Sequence, residues 1–278
     1  MHHNSNFVPA ETILKPNMEY IIDKALHQFE KQFVKRFSLI NCKNPNTCKI
    51  LIIFGCYNNN IYTLLNNRVN SKKILLTYLI WGGSDFKQKG KVRRHFHLLK
   101  NYKIKHLAIS NCLYKRLTNA NLSVTRIQFN LVDTTIFKPV TTNTVSNTIY
   151  IYSGHPRNKG RNSIIYGKSI YESIMKELSQ FNYILSHKLN IPYEKMPETY
   201  AKCFIVLRLT HLDGNANTAQ ECEAMNIPIV HNQSDYGLKW KTKQDVINHI
   251  LRLSSSCLLY TSDAADEGLG VDLGGRRI

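Results

Sequence analysis

The chain has no apolar stretch approaching the ~20 residues that a membrane-spanning helix needs, and no signal-peptide pattern opens it. Its seven cysteines form no Cys-x-x-Cys pair, and no Cys/His cluster has zinc spacing. Scattered thiols of this kind read as buried free cysteines of a reducing compartment, so a cytoplasmic protein is expected. Acidic residues are scarce: 19 Asp and Glu stand against 37 Lys and Arg, for a net charge of +18. Such a balance suits nucleic acid, an anionic membrane face or a phosphate-bearing ligand. The sequence contains no RNA- or DNA-binding motif, and this sets nucleic acid aside. The basic cluster Lys87, Lys89, Lys91, Arg93 and Arg94 reads as a solvated face. No internal repeat or low-complexity block interrupts the chain.

What is present is ordinary globular composition, 43% hydrophobic and 20% charged over 278 residues. Short apolar runs alternate with helical patterns, the signature of βαβ units around parallel sheets. Met18 to Phe37 has helical spacing through Ile21, Ile22, Ala25, Phe29 and Phe33. Strands are predicted over Lys49–Gly55, Lys73–Leu79, His106–Ser110 and Val124–Phe129, with helices near Arg93–Leu99 and over Asn111–Thr118. Asn130 to Asn147 is polar, rich in Thr and Asn, and aperiodic, as a linker would be. Alternation then resumes. Strands are predicted over Asn147–Ser153, Phe181–Leu185, Cys203–Leu209 and Pro228–His231. Helices are predicted over Ile165–Leu178, Pro197–Ala201, Asn217–Met225 and Gln244–Leu253. A cleft between the two sheets is the expected ligand site.

Four segments carry the chemistry. In RLTHLDGNANTAQECEAMNIPIVHN, Arg208 to Asn232, a loop with Asp213 and Gly214 leads from a buried strand into a helix, and Glu221 lies further along that helix. Amides at a helix N-terminus favour a phosphate or a developing anion. In SGHPRNKGR, Ser153 to Arg161, a loop after the first strand of the second domain holds Arg157, Lys159, Gly160 and Arg161. In IWGGSDF, Ile80 to Phe86, Gly82 and Gly83 let the backbone approach a ligand, while Asp85 either orients a sugar hydroxyl or caps the next helix. FNLVDTTIFKP, Phe129 to Pro139, reads as a structural segment at the domain boundary.

In order and position these segments resemble the retaining GT-B glycosyltransferases (glycosyl transferases group 1). Setting Pro228-Ile229-Val230 on the family's P-V-V puts Glu221 on the second acid of its acidic pair and Asp213 on the first. A rival register uses Glu223-Ala224-Met225 but needs a gap before Pro228. Asp213 is shorter than the family's glutamate, Asn226 stands where glycine is usual, and the family's early Gly-rich loop is missing. The bland alternative makes Asp213 a turn residue and Glu221 an exposed helix residue.

The resemblance implies an α/β protein of two Rossmann-like domains (GT-B), and a hexosyltransferase that needs no metal or cofactor. Asp213, Lys159 and Arg157 would be catalytic. Glu221, Gly214, Gly160, Arg161, Asp85 and Gly83 would bind the donor, a nucleoside diphosphate sugar, with Glu221 on the ribose. The acceptor would be a hydroxyl of a glycan, lipid-linked carrier or protein, and the basic charge favours work beside an anionic membrane face. A non-catalytic or inactive nucleotide-sugar-binding fragment is the rival reading. The expected division is 1–138 for the acceptor-side domain, 139–147 for the linker and 148–256 for an incomplete donor domain. Residues 257–278 are set apart, because CLLYTSDAAD and VDLGGRRI resemble the translated halves of a transposon-type sequencing adapter. The natural chain is therefore expected to be interrupted near Ser256, leaving it C-terminally truncated.

Overall fold

The computed structural model of the chain describes residues 8–15, 18–83, 85–86, 91–140, 146–154, 165–210, 216–232 and 236–266, leaving aside the side chains of Gln28, Lys91 and residues 256–266. The chain divides into two compact units. One runs through Asp133 and takes in the start of a later helix, up to Gln220; the other runs from Thr134 to His211 and resumes at Glu221.

The first unit is built on a parallel sheet of seven strands: β1 (Val8–Pro9), β2 (Glu19–Ile22), β3 (Ile40–Asn41), β4 (Ile50–Phe54), β5 (Leu76–Trp81), β6 (Ile104–Ala108) and β7 (Val124–Gln128). Their order across the sheet is β1-β7-β6-β5-β4-β2-β3. β4 reads ILIIF with Leu51, Ile52, Ile53 and Phe54 all buried, as a central strand covered on both faces must. The chain steps outward from β2 to β3, then crosses back to lay β4 on the other side of β2. That crossing makes the β2/β4 boundary the topological switch point of the sheet, where α/β proteins open a crevice beyond the strands' carboxyl ends.

The helical expectation for Met18 to Phe37 is corrected at its start. Glu19–Ile22 is a strand that buries Tyr20 and Ile22 alternately, a 3-10 turn covers Lys24–Phe29, and only Glu30–Phe37 is α-helical. The cause is pairing on both sides: β2 lies between β3 and β4, and this satisfies its backbone groups as a strand. The helix buries Phe33 and Phe37 against Phe54 and Phe129, with ring centroids 5.3 Å apart for Phe33–Phe54 and 5.5 Å for Phe37–Phe129. β5 and β6 lie three and two residues from their expected starts, whereas the helix Asn111–Asn119 and β7 fall where expected.

The second unit carries a parallel sheet of four strands, β8 (Thr148–Ile151), β9 (Asn182–Leu185), β10 (Ile205–Leu207) and β11 (Ile229–Val230), in the order β11-β10-β8-β9. The winding repeats: β8 leads outward to β9, and β10 is laid on its other side. The switch point is therefore β8/β10. Tyr171 and Ile174, from the helix Lys168–Glu177, and Val246, Ile247 and Ile250, from the helix Lys243–Asp266, are buried with Ile149, Ile151, Ile205, Leu207 and Val230. The last helix continues across Ser256, past the end expected at Leu253. Among the described residues, no helix is long and apolar enough to cross a membrane.

Arg68, on the helix Asn59–Asn70, is 1% exposed. Its guanidinium donates to Thr77 Oγ1 at 2.6 Å, Pro45 O at 2.7 Å, Leu76 O at 2.9 Å and Cys48 O at 3.0 Å. A buried cation persists only when its donors are matched in this way. Replacing Arg68 with Met strands those acceptors, and the expected cost is about 2–4 kcal/mol. A shift of the urea midpoint checks this; an unchanged midpoint would show that water replaces the guanidinium without penalty.

Candidate functional site

Of the residues singled out by sequence, Arg157, Lys159, Gly160, Arg161, Asp213 and Gly214 lie outside the described residues. Glu221, Asp85 and Gly83 lie within them, in different units.

Asp85 follows β5 and is buried. Its Oδ1 accepts from the backbone N–H of Gly83 at 2.8 Å and of Phe86 at 3.1 Å, and its Oδ2 from Gly82 at 2.9 Å and Cys56 at 3.0 Å. Two carboxylate oxygens offer about four acceptor positions, and backbone amides take all of them. Burial pushes the carboxyl pKa up while these amides pull it back toward the charged form. Of the two roles open to Asp85, the geometry is that of loop capping. Gly83 supplies the conformation: its φ of +121° lies where a side chain is strained, and its N–H turns onto Asp85.

A second buried carboxylate, missed in the sequence, completes this arrangement. Asp23 follows β2 and is 2% exposed. Its Oδ2 accepts from Tyr57 N at 2.7 Å, Asn58 Nδ2 at 2.9 Å and Asn58 N at 3.2 Å, and its Oδ1 from Ala25 N. Asn58 in turn caps the helix Asn59–Asn70 by accepting from Ile61 N. The amides of residues 56–58, which follow β4 at the switch point, are therefore bound by carboxylates from the loops on either side. At Gly55, φ is +86°, which strains any residue with a side chain, and an added Cβ would also crowd Asp23 Cβ at 3.1 Å. An acid directly after a short strand was the available signal, hidden by reading that strand as helix.

In the second unit, Glu221 sits on the helix Asn217–Ala224 and is 4% exposed. The exposed-helix alternative is thereby corrected, and Glu223, the acid of the rival register, is the exposed one. Thr218, Gln220 and Glu221 are all buried on this one helix, although burying polar groups is costly unless they are bonded. Among the described residues, Tyr200 Oη donates to Glu221 Oε2 at 2.8 Å. The Tyr200 ring packs edge-on against Tyr150 of β8, with centroids 5.1 Å apart. Burial raises the Glu221 carboxyl to about 7, opposed by the Tyr200 hydrogen bond and the Arg208 charge.

Arg208, directly after β10, is buried with its guanidinium carbon 4.0 Å from the Tyr152 ring centroid and 5.3 Å from that of Tyr166. Ser153, after β8, donates or accepts at His187 Nδ1 across 2.6 Å, and its N–H donates to Ser186 Oγ at 2.9 Å. Tyr150, Tyr152, Ser153 and Arg208 thus gather at the carboxyl ends of β8 and β10. None of the tyrosines was legible as a site residue, because their convergence depends on strand order. His95 stacks on Tyr62, with ring centroids 4.4 Å apart.

No protein-family model and no curated protein matches the chain. Solved structures do. Sucrose-phosphate synthase from Thermosynechococcus elongatus aligns with a TM-score of 0.50 at 11% identity, over 82% of this chain and 68% of that one. TarM aligns with a TM-score of 0.49 at 13% identity, over 76% of this chain and 48% of that one. The lipopolysaccharide outer core galactosyltransferase WaaB, in its apo form, aligns with a TM-score of 0.46 at 16% identity, over 84% and 71%. The chain thus spans about half the length of TarM. The fold is α/β with Rossmann-like parallel sheets, the GT-B class expected from sequence.

Two outcomes follow from the carboxylates. Asp85→Ala removes the acceptor from four amides and is expected to destabilise the protein by about 2–4 kcal/mol, read from denaturant unfolding. Glu221, raised from 4.5 to about 7 in the folded state, binds more protons folded than unfolded. Its favourable term is therefore complete below pH 4.5 and fades as pH rises through about 7. Glu221→Gln should flatten the fall in Tm across that window, and parallel Tm–pH curves for the two proteins would refute the assignment.

Proposed function

We propose that the protein is a glycosyltransferase that moves a sugar from a nucleoside diphosphate sugar to a hydroxyl acceptor, with retention at the anomeric carbon and without a catalytic metal. The observation that carries this reading is the switch point of the second unit. β8 and β10 are adjacent and in register, Ile151 opposite Leu207, so the segments that continue from them leave the same sheet edge. The first of those segments holds Arg157, Lys159, Gly160 and Arg161; the second holds Asp213 and Gly214. Cations and an acid in the sequence that follows two neighbouring strand ends suit a ligand that carries both diphosphate and sugar hydroxyls.

In the reaction the bond from the anomeric carbon to the diphosphate oxygen breaks, and the diphosphate leaves with the electron pair. The acceptor oxygen bonds to the same carbon and its proton passes to the departing phosphate. Charge grows on the leaving group, so fixed cations at Lys159 and Arg157, helped by Arg161, lower the barrier. Asp213 orients the donor sugar, with Gly160 and Gly214 allowing close backbone approach. Glu221 accepts from a ribose hydroxyl at the oxygen that Tyr200 does not engage. The likeness to sucrose-phosphate synthase supports the same reading. The acceptor is a glycan, a lipid-linked carrier or a protein; the charge of +18 favours one presented beside an anionic membrane.

Calorimetric titration of the whole chain with a panel of nucleoside diphosphate sugars tests this. One donor is expected to bind, and Glu221→Ala to weaken it roughly 10–100-fold, the range of a lost hydrogen bond to a charged group. Unchanged donor affinity in that variant removes the ribose assignment. Binding without transfer to any hydroxyl acceptor, in wild-type protein, would favour a nucleotide-sugar-binding protein over an enzyme.

A further inference from the structure

A cluster of three metal-ligating groups lies in the first unit, apart from every residue discussed as donor-binding. Glu19 opens β2, and Cys42 and Cys48 bracket the loop that follows β3. Cys42 Sγ is 2.7 Å from Glu19 Oε2 and 3.7 Å from Cys48 Sγ, and one ligand atom from each of the three residues lies within 4.8 Å of the others. We propose that Glu19, Cys42 and Cys48 bind one thiophilic divalent cation, Zn2+, with water as the fourth ligand. Three arguments support this.

The first is geometric. A tetrahedral zinc with bonds to sulfur of about 2.3 Å sets its two sulfurs about 3.8 Å apart, and the Cys42–Cys48 separation of 3.7 Å matches that edge. The Glu19 oxygen stands closer than a tetrahedral edge, because the thiol proton of Cys42 bridges it. A cation replacing that proton moves the oxygen outward by a side-chain rotation at a partly exposed site.

The second is electrostatic. Two thiolates and a carboxylate around Zn2+ carry a net charge of −1, which is costly near a core unless compensated. Arg68 compensates it: its Nη1 donates to Cys48 Sγ at 3.4 Å. The same nitrogen holds Pro45 O and Cys48 O, so the donor that orients the ligand also fixes the loop carrying it, as outer partners of metal ligands do.

The third is choice of metal. Two sulfurs and a carboxylate select zinc over magnesium or calcium, which take all-oxygen sites. The role is structural. β3 is a two-residue edge strand of the sheet, with Ile40 and Asn41 exposed, and the cation would tie its loop to the neighbouring strand β2. The pair's Cys-x5-Cys spacing is not a zinc signature alone; the parallel pairing of β2 with β3 supplies the third ligand.

The test is titration of the chelator-treated whole chain, kept reduced, with Co2+ and then Zn2+. One equivalent of Co2+ should produce thiolate charge-transfer absorption and intense visible bands of a tetrahedral site, both removed by Zn2+, and Zn2+ should raise Tm by several degrees. The paired substitution Cys42→Ser, Cys48→Ser should abolish both effects, whereas Cys112→Ser should leave them intact. Glu19→Gln, which keeps both thiols, should weaken binding at least about tenfold and stands in if the paired variant fails to fold. Absence of the charge-transfer band, or binding that survives removal of both thiols or of the Glu19 charge, overturns the site. So does a Cys42–Cys48 disulfide in protein isolated without added reductant.

Discussion

Backbone amides at a strand's carboxyl end have to be matched by some acceptor, and in the first unit the chain supplies that acceptor itself. The loop after β4 lies at the topological switch point, where a parallel α/β sheet presents its N–H groups to whatever occupies the crevice. Asp23 reaches it from the β2 side and Asp85 from the β5 side, and between them they take the amides of Cys56, Tyr57 and Asn58. Each of the two buried acids accepts from four N–H donors, so no carboxyl oxygen is left unmatched. The arrangement also fixes function by exclusion: a phosphate would have to displace a covalently tethered carboxylate from the same donors. This unit is therefore poorly suited to hold a nucleotide's phosphates at that loop, consistent with the missing Gly-rich signature in the sequence.

The second unit has the same winding with a different occupancy. At its switch point the described side chains are Tyr150, Tyr152, Ser153 and Arg208, and the buried acid, Glu221, is approached by a single phenol rather than by four amides. Burial raises the Glu221 carboxyl to about 7, and the Tyr200 hydrogen bond and the Arg208 charge offset that rise only in part. A buried carboxyl whose pKa is raised is held at a cost by the fold, and such groups cluster where ligands bind. The proposed ribose contact would add a second hydroxyl donor to that of Tyr200.

Legibility in the sequence followed the kind of signal each feature left. The continuous apolar runs behind β4 and β10, and the capped helix Asn111–Asn119, carry their own period and punctuation, and each falls within a residue or two of expectation. β5 slipped because KKILLTYLIW is apolar without alternation, so no face marks where pairing begins. β2 was absorbed into a helix because four residues of strand run straight into a 3-10 turn, and their joint spacing imitates a period of 3.6. Glu221 was legible through its spacing from Pro228, but its partner Tyr200 was not, since 21 residues and a strand crossing separate them. Glu19, Cys42 and Cys48 were illegible for the same reason. Strand register, which no local pattern encodes, brings them together.

The same contrast bears on how charge is used. The excess of Lys and Arg is spread along the chain, yet the two most buried of the described arginines, Arg68 and Arg208, are not part of any basic run. Arg68 is consumed by carbonyls and a thiol, and Arg208 lies over two tyrosine rings after β10. From that position Arg208 acts on Glu221 through space, opposing the rise of its carboxyl pKa. Should a diphosphate bind there, its charge would weaken that influence and favour protonation of Glu221, coupling occupancy of the phosphate position to the acid expected to hold the ribose.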